Sequence, residues 1–207
     1  MFTGLVEVVG RVQVASRTAA GLALVVDSGS WGHRPAEGES ISVHGCCLTV
    51  AAGSKDRAMV FDVVSETLAK TTLGRFQVGT PVNLEHAATA STLLGGHVVQ
   101  GHVDGVGVVD SVLTGEAWRV RIRPDPGVME YIAPKGSVAV DGVSLTVAQV
   151  DPAAGWFEVA LIPTTLAKTT LGRLKAGDLC NIEADSIAKT IVHWLKHYGQ
   201  GRAASAG

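Results

Sequence analysis

The sequence predicts an all-β protein of two homologous antiparallel barrels, each with about six short strands, plus short helices and a separate C-terminal α-helix. Three observations lead there. Thr67-Leu68-Ala69-Lys70-Thr71-Thr72-Leu73-Gly74-Arg75 recurs letter for letter as Thr165-Leu166-Ala167-Lys168-Thr169-Thr170-Leu171-Gly172-Arg173. Around it, Ser40–Val50 aligns with Ser137–Val147, and Gly4-Leu5-Val6-Glu7 with Gly101-His102-Val103-Asp104. The offset of about 97 residues is the length of a small domain, too long for a solenoid unit. Each copy is also dominated by Val-rich, period-two alternation punctuated by glycine, the pattern of half-buried strands.

Taken in order, the first copy offers strands at Leu5–Val14, Leu22–Val26, Ser40–Val43, Leu48–Ala52, Met59–Val63 and Val82–Glu85, and Val103–Val109 opens the second. Closing each set into a barrel removes exposed strand edges. The repeated segment predicts one short helix per copy, ending at Gly74 and Gly172. Asp125-Pro126 opens another, with Pro at its first position. Ala87–Leu94 links the copies. After the second copy, Asp185-Ser186 caps a helix whose apolar residues Ile187, Ile191, Trp194, Leu195 and Tyr198 recur at helical spacing. The stripe either packs on its own barrel or drives oligomerisation, and the lack of a counterpart in the first copy favours oligomerisation. The resulting division is 1–95, 96–185, a helix at 186–199 and a frayed tail at 200–207.

Composition narrows the function. Seventeen basic and nineteen acidic residues leave a net charge of −2, which suits neither nucleic acid nor a polybasic membrane patch. Apolar runs fall short of the roughly 18 residues that span a bilayer. Met1-Phe2-Thr3-Gly4 does not read as a secretory signal, and three cysteines make no paired disulfide framework, so a cytoplasmic protein is expected. His193 and His197 lack a zincin glutamate, and no Rossmann or Walker spacing occurs, so metal, hydride and phosphoryl chemistry lose support.

Positions that differ between copies mark where a unique reaction would sit. Cys47 stands against Ser144, giving the first copy an ionisable thiol and hence the nucleophile candidate; the competing reading is a small buried apolar residue. Cys46, against Val143, should face the other side of the strand and be buried. His102 occupies the place of Leu5, where the fold does not require a polar ring. His97 and His102, five apart, face opposite ways on a strand, which suggests one structural and one functional imidazole, with His102 the functional one. Glu66 against Thr164 supplies a carboxylate in one copy only, read equally as a ligand partner or as a helix-start acid.

Met1-Phe2-Thr3-Gly4, Gly45-Cys46-Cys47-Leu48-Thr49-Val50, Gly95-Gly96-His97 through His102-Val103-Asp104-Gly105, and Asp141-Gly142-Val143-Ser144-Leu145-Thr146-Val147 together resemble the riboflavin synthase family of alpha-chain type. The resemblance covers residues 1–199. It implies two six-stranded Greek-key barrels and a homotrimer assembled through the C-terminal helices; whether that trimer also associates with a lumazine synthase shell is a question the sequence leaves open. It implies dismutation of two 6,7-dimethyl-8-ribityllumazine molecules to riboflavin and 5-amino-6-(D-ribitylamino)uracil, without metal or redox cofactor. Two substrates face each other between the first barrel of one subunit and the second barrel of its neighbour. Carried over, the first half-site takes Gly4, Leu5, Val6, Ser40, Cys47, Leu48, Thr49, Asp62, Val63, Val64, Ser65, Glu66 and Thr67, with Phe2 and His102 adjoining. The second takes Gly101, Val103, Lys135, Ser144, Leu145, Thr146, Ala160, Leu161, Ile162, Pro163, Thr164, Thr165 and Asp185. His102 is the acid/base candidate, and Cys47, assisted by Ser40, the group acting on or positioning attack at the donor ring. Thr164 departs from the acid or imidazole expected there. The rival reading is a non-catalytic lumazine or flavin carrier on the same double barrel.

Overall fold

The computed structural model describes residues 1–115 and 117–199; the predicted tail lies outside them. The first repeat forms β1 (Val8–Thr18), β2 (Gly21–Asp27), β3 (Ser40–Val43), β4 (Cys46–Thr49), β5 (Ala58–Val64) and β6 (Pro81–His86). The second forms β7 (Gly105–Leu113), β8 (Trp118–Pro124), β9 (Ser137–Val140), β10 (Val143–Asp151), β11 (Trp156–Leu161) and β12 (Leu179–Ala184). Both sheets are antiparallel with one strand order: β4-β3-β6-β1-β2-β5 repeats as β10-β9-β12-β7-β8-β11.

The two differ at the seam. β10 continues to Asp151 and pairs with β11, closing the second barrel. β4 ends at Thr49, and the first sheet meets itself through the Val50–Phe61 bridge. Ser54 causes the early end: its hydroxyl donates to the Ala51 carbonyl at 2.8 Å and accepts from the Val60 N–H at 2.9 Å, taking the place of further ladder bonds. The first half is thus a six-stranded sheet curled into a barrel, where full closure was expected.

Inward residues alternate as predicted, with Leu24, Val26, Ile41, Phe61 and Leu84 filling one core and Ile122, Val138, Phe157, Val159 and Ile182 the other. The repeated segments depart from the expected single helix. α1 (Ser65–Lys70) stops at Thr71, and a 3-10 turn follows over Thr72–Arg75; α3 (Pro163–Lys168) breaks likewise at Thr169 before Thr170–Arg173. Gly74 and Gly172 therefore lie inside the turns, where they were expected to end a helix. Thr71 and Thr169 sit in extended backbone, and their hydroxyls cap the turns by accepting from Leu73 N–H and Leu171 N–H. The break frees two amides for the other barrel. Thr72 N–H donates to Asn181 Oδ1 at 2.7 Å, and Thr170 N–H to Asn83 Oδ1 at 2.9 Å. The letter-for-letter repeat is therefore a reciprocal lock between halves.

The lock extends through both β-hairpin turns. Asn83 Nδ2 donates to the Asp141 carbonyl and Asn181 Nδ2 to the His44 carbonyl, while His44 Nε2 lies 3.2 Å from Asp141 Oδ1. His44-Gly45 and Asp141-Gly142 take positive φ, as a two-residue hairpin turn requires. The turns meet backbone to backbone: a Cβ on Gly45 would lie 2.6 Å from Gly142 N. Phe2, Val99 and Ala139 form a small apolar core between the barrels.

α2 (Pro126–Met129) follows Asp125 as predicted, with Pro126 opening it. α4 (Ser186–Tyr198) is capped by Asp185, whose carboxylate accepts from Ile187 N–H at 2.8 Å. Lys189 ties α4 to Asp104 and Lys196 ties it to Glu130, yet no residue of α4 is buried. Its stripe of Ile187, Ile191, Trp194, Leu195 and Tyr198 stays exposed.

Candidate functional site

Two glutamates on equivalent strands decide where the site forms. Glu85 on β6 accepts from Thr3 N–H at 2.6 Å and Gly4 N–H at 3.0 Å; Glu183 on β12 accepts from Gln100 N–H at 2.7 Å and Gly101 N–H at 2.9 Å. Each carboxylate holds the segment preceding its own barrel. That segment then lies on the other barrel: the Gly4 carbonyl accepts from Ser144 N–H at 2.8 Å, and the Gly101 carbonyl from Cys47 N–H at 2.9 Å. Burial raises the pKa of both glutamates above the ordinary carboxylate value, with the amide bonds opposing.

This crossing builds two equivalent cavities, of about 270 and 220 Å³. The first is lined by Cys47, Glu66, Thr67, Lys70 and Thr71 of the first barrel together with Gly101, His102 and Val103. The second is lined by Ser144, Thr164, Thr165, Lys168 and Thr169 together with Gly4, Leu5 and Val6. Neither is large enough for two drug-sized molecules, so each suits one. Two larger clefts, each of about 680 Å³, one beside Arg17, Arg75 and Arg123 and one beside Trp118 and Arg173, hold none of Cys47, Glu66, His102, Ser144, Thr164 and Leu5.

The grouping corrects the expected half-sites. Gly4–Val6 belong with Ser144 and Thr164, and Gly101–Val103 with Cys47 and Glu66, because each segment is exchanged onto the opposite barrel. The three mismatched positions thereby converge. Cys47, Glu66 and His102 share one cavity; Ser144, Thr164 and Leu5 share the other.

The remaining predicted residues divide by strand alternation. Cys46 faces the core, where burial pushes its thiol up to about 12, while Cys47 points outward and is half-buried. Leu48, Val63, Leu145 and Leu161 are also buried in the cores, so only their backbone can meet a ligand. Thr49, Asp62, Thr146 and Ala160 face outward, as do Ser65 and Pro163 at the helix starts. Val64 and Ile162, at equivalent positions, are exposed apolar side chains at the entry to α1 and α3. Phe2 is 1% exposed and bridges to Val99, so it supports the Cys47 region from behind, where ligand contact was expected. Ser40 pairs with Thr49, whereas Ser42 is opposite Cys47; Ser40 is thus diagonal to the thiol, roughly 7–8 Å away by sheet geometry. Lys135 lies in an exposed turn at φ +64°, outside the second cavity. Asp185 is the cap of α4.

Sequence reasoning missed Lys70 and Lys168, which put one ammonium in each cavity, and the Glu85/Glu183 clamps. The signal was present: the lysines lie within the repeated segment, and Asn-x-Glu interrupts an apolar strand at 83–85 and again at 181–183.

The Lumazine binding domain family matches the chain twice, over residues 3–87 and 100–185, one match per barrel. A riboflavin synthase of Mycobacterium tuberculosis is 42% identical over 96% of this chain and all of its own length. The chain belongs to the riboflavin synthase family. A riboflavin synthase of Schizosaccharomyces pombe is 41% identical over 95% of this chain and 98% of its own. Among solved structures, LumP complexed with riboflavin superposes with a TM-score of 0.78 at 26% identity, covering 90% of this chain and all of that one. The double barrel of this chain is thus shared with a solved relative, and no helix among the described residues is long and apolar enough to cross a membrane.

Proposed function

We propose that the chain is a riboflavin synthase, an enzyme that converts two 6,7-dimethyl-8-ribityllumazine molecules into riboflavin and 5-amino-6-(D-ribitylamino)uracil. One lumazine gives a four-carbon unit to the other, so atoms and electrons balance between identical reactants. The observation that carries the reading is the pair of equivalent but chemically unequal cavities: one molecule must be bound twice and treated differently each time. Equivalent Thr67 and Thr165, Lys70 and Lys168, and outward strand amides support two similar binding modes for a hydroxylated chain and a pyrimidinedione edge. Val64 and Ile162 offer apolar surface to a ring.

The unequal residues carry the chemistry. Cys47 and His102 meet in the first cavity, His102 as acid/base and Cys47 as the group acting on or positioning attack at the donor ring. Ser40 and Thr49, one strand pair along, serve the ligand's far end. Much of the acceleration comes from holding two reactants in register. The exposed α4 stripe supports self-association, which on the family resemblance is a cytoplasmic homotrimer with the first cavity of one subunit facing the second of its neighbour.

Purified protein mixed with the lumazine should generate riboflavin fluorescence, and Cys47→Ser and His102→Gln should slow it by about a hundredfold or more. Wild-type turnover in both variants would sink the residue assignment. A stable lumazine complex without turnover would instead make the chain a carrier.

A further inference from the structure

His97 and Ser144 are a close side-chain pair at the second cavity to which the roles above give no part. His97 Nδ1 lies 2.7 Å from Ser144 Oγ, and His97 N–H donates to the Thr3 carbonyl. Gly96 permits this approach, since a Cβ there would sit 2.2 Å from the Thr3 carbonyl oxygen and 2.9 Å from Ser144 Oγ. His97 Nε2 is buried without a hydrogen-bond partner among the described residues, so the ring's polar contact is directed at Ser144. Burial lowers the imidazole pKa from its ordinary 6.5, with Asp185 opposing. The other charged groups near this segment and the cavity are Glu183, which holds Gln100 and Gly101, Glu85, which holds Thr3 and Gly4, and Lys168, on the cavity wall.

Sequence spacing had suggested one structural and one functional histidine. The geometry instead sets His97 behind Ser144, a residue that lines the second cavity. Resting on the riboflavin synthase reading, we propose that His97 is a positioning residue for the reaction and acts through Ser144: neutral His97 accepts the Ser144 hydroxyl proton in a hydrogen bond. The Ser144 lone pairs then face the lumazine in the second cavity. Protonation of His97 turns Nδ1 into a donor and reverses the hydroxyl, so a ligand donor loses its acceptor.

Steady-state riboflavin formation is measured from pH 5 to 8 for wild type, His97→Leu, His97→Asn, Ser144→Ala and the Leu/Ala double variant, with thermal melts verifying folding. His97→Leu should lose about tenfold or more in kcat with little change in KM. The double variant should be no slower than Ser144→Ala alone. His97→Asn, which retains an acceptor but does not titrate, should recover most of the neutral-pH rate and keep it at acid pH, where wild type declines. Losses that multiply in the double variant overturn the proposal, as does an unchanged acid limb in His97→Asn. Absence of riboflavin from wild type itself overturns the underlying reading, and the proposal with it.

Discussion

Replacing Gly101 by alanine should unfasten the first cavity, and the structure supplies the size of the effect. Gly101 has φ +77°, and an added Cβ would sit 2.6 Å from Cys47 Cβ and 2.7 Å from Cys47 N. Because one neighbour is backbone, rotation of a side chain does not relieve the clash. An L-residue in the left-handed region costs about 1–2 kcal/mol. Forcing the packed 101 segment away from β4 adds about 1–3 kcal/mol. Weakening the Cys47 N–H to Gly101 carbonyl bond adds about 1 kcal/mol. Gly53 provides the control, since it has φ +88° and nothing within 4 Å of its added Cβ, so Gly53→Ala carries the conformational cost alone. Gly101→Ala should therefore be less stable than Gly53→Ala by about 2–4 kcal/mol, or roughly 5–15 °C in Tm for a chain of this size. Thermal unfolding followed by circular dichroism reads the difference directly. Equal melting of the two variants would refute the close crossing of 101–103 over Cys47.

Other perturbations test separate parts of the account. Asn181→Leu strands Thr72 N–H and the His44 carbonyl inside the inter-barrel contact, and should cost about 2–5 kcal/mol in urea unfolding; a loss below 1 kcal/mol contradicts the lock. Glu183 has a folded pKa above its ordinary 4.5, so its favourable contribution is complete below pH 4.5 and is lost as pH rises through the folded value. Measured by denaturant unfolding at a series of pH values, the stability of wild type relative to Glu183→Gln should thus shrink as pH rises above 4.5; a difference that grows reverses the sign and the argument. Trp194→Glu places a charge in the exposed α4 stripe and should yield monomers in sedimentation, with riboflavin formation falling by about tenfold or more. Monomers with full turnover would remove the inter-subunit site.

Period-two alternation located the six strands of the first copy and the first strand of the second, because inward residues such as Leu24 and Phe61 must leave water whatever the topology. The duplication carries the fold, and the three mismatches between the copies, Cys47, Glu66 and His102, line one cavity. What the chain concealed was long-range. Nothing local says that the Gly4 segment lies on Ser144 rather than Cys47, because both alternatives satisfy the same strand pattern; the choice is made by Glu85 and Glu183, whose carboxylates fix each segment from its own barrel. The helix break at Thr71 was hidden for a similar reason. Helix formers surround it, and the amide it releases finds its partner only at Asn181, in the other barrel. Early termination of β4 depended on the hydroxyl of Ser54, a residue that reads locally as ordinary turn sequence.

The most direct test of the crossed, unequal cavities is a crystal structure with 6,7-dimethyl-8-ribityllumazine bound to both. One lumazine should contact Cys47, Glu66, Thr67 and His102, and the other Leu5, Ser144, Thr164 and Thr165. A lumazine held between Cys47 and the Gly4–Val6 segment of the same subunit would contradict the account.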